Sequence, residues 1–206
     1  MEPTSSNLSP WPALPFERGK GTYATLHRYL QLVGKVRLAA TPWVNHSWHA
    51  TLYVTAHGLT TGPIYTSRQV FQIDFDFLDQ TLELRSNRAR THREPLVAMP
   101  VSKFREQLSA GLREFGVDVH VSDVPNEIPS AIPFSKDDAP RVYEPEQAER
   151  YFRVLLEIRS RLSLVPHGFP RKGEPRAFVL GQPRSRCHAL LGSPRAASPG
   201  RCPCVA

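Results

Sequence analysis

The chain has 206 residues, of which 20 are proline and only three are cysteine, and its formal net charge is +7. The last 42 residues contain seven basic side chains, a single acidic one and all three cysteines. The first 164 residues are therefore nearly neutral, which disfavours nucleic-acid binding because that function requires clustered positive charge. They also contain no thiol, which excludes disulfides, thiolate metal sites and a cysteine nucleophile from this part of the chain.

The N-terminus has neither the basic region nor the apolar stretch of a secretion signal, and no apolar run reaches membrane-spanning length. We therefore expect a cytoplasmic protein that binds no membrane. About 160 residues can bury one hydrophobic core without disulfides or a structural metal, which predicts a single domain.

Residues 1–21 are rich in proline, serine and glycine and predict an extended N-terminal arm. Three apolar side chains are expected to anchor this arm on the domain: Trp11, Leu14 and Phe16. A helix is predicted to follow Thr22, which can cap it, because apolar residues then recur at three- to four-residue spacing. Pro42 limits the end of this helix.

Alternation of apolar and polar residues predicts the strands. Residues 44–55 alternate in this way, with one face expected to be buried. The buried face comprises His46, Trp48, Ala50, Leu52 and Val54. Gly58 and Gly62 mark a turn, and residues 71–77 then show the clearest alternation of the chain. Leu82 and Leu84 belong to a third strand, and the short connections indicate an antiparallel meander.

The second half of the chain predicts two more helices. One follows Pro100 and ends at Gly116, which stands where a C-terminal cap belongs. Residues 117–121 alternate valine with polar side chains and predict another strand. Residues 123–140 contain four prolines and are expected to cross the molecule without regular structure. A last helix is predicted to begin at Pro145.

These elements predict an α+β fold in which an antiparallel sheet of about four strands packs against two or three helices. The predicted domain covers residues 22–163. It lies between the extended arm at 1–21 and a C-terminal tail at 164–206.

The polar faces of the first two predicted strands carry the residue types of a hydrolytic site. Asp74 and Asp76 share one face of the second strand, and His49 lies on the polar face of the first with Asn45 and Tyr53. If the strands are neighbours, the imidazole can act as a general base while a carboxylate orients it or activates water. The alternative interpretation is the solvent-exposed face of an antiparallel sheet.

A second group of polar residues is compatible either with a ligand-binding surface or with an ordinary solvated surface. His27, Gln31 and Lys35 follow one another at four-residue spacing and form a polar stripe along the first helix, which can line a cleft. Glu127 lies in a stiff segment between two prolines and is a further candidate ligand-binding residue.

The segment that contains Asn45, His46 and His49 has the His-x-x-His spacing of a metal-binding pair. Residues three apart on a strand point to opposite faces, so both imidazoles cannot bind one ion unless the segment is a loop. We therefore predict no metal site and treat Asn45 and His46 as candidate ligand-binding residues. The sequence indicates no particular cofactor.

Several short motifs follow one another between about residues 10 and 160. They are 11–15 (WPALP), 25–27 (TLH), 31–38 (QLVGKVRL), 45–61 (NHSWHATLYVTAHGLTT) and 71–77 (FQIDFDF). In this order they resemble an uncharacterised bacterial domain-of-unknown-function family. The resemblance covers most of the chain and implies no established activity.

The C-terminal tail departs from that family. Its members usually end with a segment like SPVHFFWGSFDLAVTRFSGR, which is typical of an aromatic-rich strand pair. Residues 174–192 back-translate into codons that, read one nucleotide later, spell SPVHSFWGSLDLAVTRFSG. We hypothesise a frameshift between about residues 162 and 174, and we expect 164–206 to be a disordered, out-of-frame tail. Sequencing the gene tests this, because an uninterrupted native frame would contradict it.

Two functions are compatible with these residues. The first is a small-molecule-binding or hydrolytic domain with a His/Asp polar site. The second is a non-catalytic protein-interaction domain in which Trp11, Trp43 and Trp48 anchor a partner or the N-terminal arm. The two differ in whether the polar side chains converge on a shared pocket. The sequence does not indicate the oligomeric state.

Overall fold

The computed structural model of the protein describes residues 11–44, 49–126 and 128–164. These residues form three α-helices and an antiparallel sheet, which confirms the predicted α+β class. The sheet has six strands, more than the four predicted. The elements are α1 (Phe16–Ala40), β1 (Tyr53–Val54), β2 (Gly58–Thr60), β3 (Ile64–Tyr65), β4 (Val70–Asp76), β5 (Thr81–Ser86), β6 (Thr91–Pro95), α2 (Val101–Glu114) and α3 (Pro145–Leu164). The predicted out-of-frame tail lies outside the described residues, apart from its first residue.

The first helix begins at Phe16, directly after Pro15, and not after Thr22 as predicted. Thr22 is buried inside α1, and its Oγ1 accepts a hydrogen bond from the backbone N–H of Glu144 at 3.0 Å. Thr25 Oγ1 donates to the carbonyl of Val142 at 2.8 Å. These contacts with the segment before α3 favour helix over residues 16–21, where glycines led the sequence analysis to predict an extended arm.

The strands are ordered β1-β2-β4-β5-β6, and β3 also pairs with β4. β2 covers one end of β4 and β3 covers the other, so two very short strands share one edge of it. Gly58 of β2 lies opposite Asp76, and a Cβ at this glycine would stand 1.8 Å from the carbonyl oxygen of Phe75. Only glycine permits this approach of the two backbones.

The predicted alternation of β4 and β5 is confirmed. Phe71, Ile73 and Phe75 are buried on one face of β4, and Leu82 and Leu84 continue that face on β5. The hydrophobic core lies between this face and the three helices, and α1 packs against both α2 and α3. The opposite face of the sheet carries the polar residues of both strands.

The predicted strand over 44–55 is wrong in its extent, since of the described residues in this range only Tyr53–Val54 are assigned to a strand. His49 and Ala50 form a short helical turn, and residues 45–48 lie outside the described part of the chain. Thr51 and His49 are buried along with Leu52, because the backbone here packs beside α1 and receives a hydrogen bond from Arg37. Because both sides of residues 49–52 are largely buried, this stretch lacks the exposed polar face that the alternation predicted.

Residues 117–121 are extended but form no strand, which corrects the prediction there, because no described strand pairs with them. β6 was not predicted because its residues are charged or polar. The predicted starts of α2 after Pro100 and of α3 at Pro145 are confirmed. Gly116 has φ +66°, the left-handed conformation expected of a C-terminal cap.

Candidate functional site

The polar stripe of α1 faces the proline-rich segment that crosses the molecule. His27, Gln31 and Lys35 lie on one side of α1 because four residues complete slightly more than one helical turn. Gln31 is buried, whereas the other two side chains are half-buried. Their position opposite Asn126 brings together two parts of the chain that are 95 residues apart.

The Gln31 amide pairs with the backbone of Asn126 in both directions. Its Nε2 donates to the Asn126 carbonyl at 2.8 Å, and its Oε1 accepts the Asn126 N–H at 3.0 Å. Reversing the amide would break both bonds, so its orientation is fixed. Nε2 also lies 2.9 Å from His27 Nε2, which must therefore act as the acceptor.

Lys35 lies at the other end of the stripe. Its Nζ donates to Oδ1 of Asn126 at 3.1 Å. Burial lowers the pKa of Lys35, because the ammonium group is partly removed from water. Among the described residues no carboxylate forms an ion pair with this ammonium group, so its hydrogen-bond partner is a neutral amide oxygen.

A cleft of about 90 Å³ opens beside these groups. We call it the α1 cleft. It is bounded by the polar side chains of Gln31, Lys35 and Asn126 and by a mostly apolar wall. The wall residues are Leu30, Gly34, Leu38, Ala50 and Leu52. The volume is that of about three water molecules in the liquid, so the cleft admits a small ligand or one end of a larger one.

His49 does not meet the carboxylates with which the sequence analysis combined it. It is buried, and its Nδ1 accepts a hydrogen bond from the backbone N–H of Val44 at 3.0 Å. β2 lies between β1 and β4, so the chain near His49 is not adjacent to Asp74 or Asp76 in the sheet. The condition set for a His–Asp pair, that the two strands be neighbours, is therefore not met.

The two aspartates have other partners. Asp76 Oδ1 accepts hydrogen bonds from the N–H groups of Leu78 and Asp79, both at 2.9 Å, and so stabilises the turn between β4 and β5. Its other carboxylate oxygen lies 3.9 Å from His57 Nδ1. Asp74 accepts a hydrogen bond from the Gln72 side chain at 2.8 Å. Both aspartates lie on the polar face of the sheet.

Glu83 dominates that polar face. Its side chain is only 6% exposed, and it forms ion pairs with Arg85 and Arg93 from its own strand and the neighbouring one. Asp74 is its cross-strand neighbour on the other side. The face is thus a network of polar groups that bind one another.

The remaining predicted site residues lie elsewhere. Tyr53 packs under the guanidinium of Arg37, which is 4.9 Å from the centre of its ring. Asn45, His46 and Glu127 are outside the described residues. Asn126 is the functional candidate that the sequence analysis missed, and its only signal was its position beside Glu127 in the proline-rich segment.

Within the described ranges, no group of three or more histidine, cysteine or acidic side chains is arranged to hold a metal ion. The same ranges contain no helix that is both long and apolar enough to cross a membrane.

The fold and the cleft define an α+β domain with a small ligand-sized cleft on its first helix. The chain belongs to a family of unknown function, DUF5996, whose model matches residues 11–182. This confirms the family resemblance found in the motifs. The match runs past the predicted frame break, so the frameshift stays a prediction that awaits sequencing of the gene. No curated protein and no solved structure matched the chain.

Proposed function

We propose that the protein binds a small organic carboxylate in the α1 cleft. The observation that carries this proposal is the ammonium group of the half-buried residue Lys35, which lies at the rim of an apolar cleft and, among the described residues, has a neutral amide as its hydrogen-bond partner. A cation that has lost part of its hydration gains most from an anionic ligand. Asn126 Oδ1, already bonded to Lys35, holds the ammonium group in place.

The wall of the cleft indicates the rest of the ligand. Leu30, Leu38 and Leu52 offer apolar surface, which suits a short aliphatic chain. The cleft volume of about 90 Å³ corresponds to roughly three to five non-hydrogen atoms. Acetate and propionate have the required size and a single negative charge.

Binding without hydrolysis is the form of the proposal that the geometry supports. Hydrolysis by the predicted catalytic residues would require His49 to reach Asp74 or Asp76. Instead, His49 is hydrogen-bonded to Val44, Asp74 to Gln72, and Asp76 to the turn after β4. The predicted ligand-binding residues Gln31 and Lys35, in contrast, line the α1 cleft, and His27 contacts the side-chain amide of Gln31.

The test is a calorimetric titration of the full chain with acetate, propionate and butyrate. Each acid is compared with its neutral amide, which has nearly the same shape and no charge. We expect the acids to bind and the amides to bind at least tenfold more weakly. Lys35→Met should remove this preference, and Lys103→Met, at an exposed lysine of α2, should keep it. Equal affinity for acids and amides would contradict the proposal.

Partner binding is the second candidate function, and the exposure of Trp43 favours it. Trp43 is 70% exposed and is followed by exposed Val44, whereas Trp11 is held against α3 by Arg161, 4.5 Å from its ring. A large exposed indole is a common anchor of protein interfaces. A photoreactive residue at position 43 should crosslink one defined partner, and the same residue at equally exposed Tyr65 should not.

A further inference from the structure

The segment that follows α2 has the form of a strand without a neighbour. Val117 is buried and Val119 and Val121 are half-buried, whereas Asp118 and His120 are exposed. The backbone N–H and C=O groups of residues 118–122 form no hydrogen bonds with the described part of the chain. Unpaired groups along an extended backbone are a template for another strand.

A groove of about 310 Å³ runs along this segment. Leu32 and Val36 of α1 and Leu108 and Leu112 of α2 contribute its apolar lining. All five residues of 117–121 border the groove. Alternate side chains of an extended segment point to opposite faces. Because all five residues nevertheless border the groove, the groove lies along the backbone edge of the segment.

We propose that this edge pairs with the same segment of a second copy of the chain, which forms a two-fold symmetric antiparallel dimer. Symmetry requires each residue to meet its counterpart across the axis. With the axis at Val119, the valines pair with valines on one face. On the other face Asp118 of each copy lies opposite His120 of the other.

This register makes the segment complementary to itself. β-branched side chains in cross-strand pairs stabilise an antiparallel sheet, and a carboxylate opposite an imidazole can accept a hydrogen bond from its ring N–H. A shift of the axis by one residue would place Asp118 opposite Asp118, or His120 opposite His120. The side-chain pattern of Val117–Val121 therefore selects the second copy, and one register, as the occupant of the edge.

The experiment is sedimentation velocity of the full chain over a range of concentrations. We expect a monomer–dimer equilibrium. Asp118→His places histidine opposite histidine and should raise the dissociation constant roughly tenfold. The exchanged variant Asp118→His with His120→Asp restores opposite pairs and should dimerise like the original chain. All three proteins should have the same circular dichroism spectrum.

Two results would overturn the proposal. One is a chain that remains monomeric at every concentration, which includes the case in which another part of the same chain or a different protein covers the edge. The other is a dimer whose dissociation constant is unchanged by Asp118→His, since its interface would then lie elsewhere. Because the groove and the α1 cleft are lined by different residues, neither result bears on carboxylate binding.

Discussion

The α1 cleft and the polar face of the sheet are both rich in charged and hydrogen-bonding side chains, yet they differ in what those groups bind. On the sheet, Glu83 is bridged by two arginines and Asp76 caps a turn. In the cleft, Gln31 binds the backbone of Asn126 and leaves Lys35 facing an apolar wall. These acidic groups of the sheet face bind arginines or backbone N–H groups, whereas among the described residues the hydrogen-bond partner of the Lys35 ammonium group is the neutral side chain of Asn126.

A cluster of polar side chains indicates a binding site only when its groups do not all bind one another. Alternation along a strand places polar residues on one face, but neighbouring strands then supply their partners. A binding site needs polar groups that are held in place and can still form hydrogen bonds or ion pairs with a ligand. In this protein the long-range contact between α1 and Asn126 supplies that condition.

The largest expected effect is that of Gln31→Leu. This change removes two hydrogen bonds to the Asn126 backbone and one to His27 from a buried side chain. We expect the free energy of unfolding to fall by about 2 to 3 kcal/mol. Carboxylate affinity should also fall, because Asn126 no longer holds Lys35. Urea denaturation and calorimetry measure the two effects.

Gln107→Leu is the matched control for that variant. Gln107 on α2 donates one hydrogen bond, to Glu94, at 3.1 Å. Its removal should cost about 1 kcal/mol and leave carboxylate binding intact. If both variants lost binding equally, the role assigned to Gln31 would be wrong.

Glu83→Ala tests whether the charged side chains on the polar face of the sheet are neutralised by one another. The carboxylate is buried, but Arg85 and Arg93 are more than half exposed and can turn toward water when it is removed. We therefore expect a loss of about 2 kcal/mol in unfolding free energy, less than a fully buried pair would lose. Carboxylate binding should not change. Glu106→Ala, at an exposed acid of α2, should have almost no effect on stability.

Asp76→Ala separates a turn-stabilising carboxylate from a catalytic one. The two backbone N–H groups that it binds lose their acceptor, which should lower stability by about 1 kcal/mol. Asp76→Asn keeps the Oδ1 acceptor and should recover most of that loss in the same urea titration. An asparagine variant as unstable as the alanine variant would show that the negative charge, and not the turn geometry, is what matters.

Lys35→Met should have the smallest effect on stability, and the size of that effect should depend on pH. Burial lowers the pKa of Lys35 below its ordinary value of 10.5, so the protonated lysine costs stability while both states are protonated. This cost diminishes as the pH rises through the folded-state pKa toward 10.5, because the unfolded chain then binds more protons. The stability of the original chain relative to Lys35→Met should therefore rise over that window. Parallel melting curves that keep a constant separation would contradict this.

Hydrophobic periodicity was sufficient to predict β4, β5, α2 and α3 because each of them buries one face. It could not reveal β2 or β3, which are too short to show a pattern, or β6, which has no apolar side chain except proline. The start of α1 was missed because the hydrogen bonds that hold this part of the helix, between Thr22 and Glu144 and between Thr25 and Val142, join distant parts of the chain. Tertiary contacts of this kind leave no local signal.

The candidate site was predictable only in part, because some of its features are local in sequence and others depend on tertiary contacts. His27, Gln31 and Lys35 were identified from spacing within one helix, which sequence determines directly. Their partner Asn126 is recognised mainly through its backbone N–H and C=O groups, which every residue other than proline possesses. No side-chain pattern could have indicated that contact.

Gly58 links the sheet to the cleft. Its missing side chain lets β2 approach β4, and β1, which is bonded to β2, continues directly from Leu52 in the cleft wall. A methyl group at position 58 would push the β1–β2 hairpin outward and move that wall with it. The absence of a single carbon atom on the second strand thus affects the position of one wall of the α1 cleft.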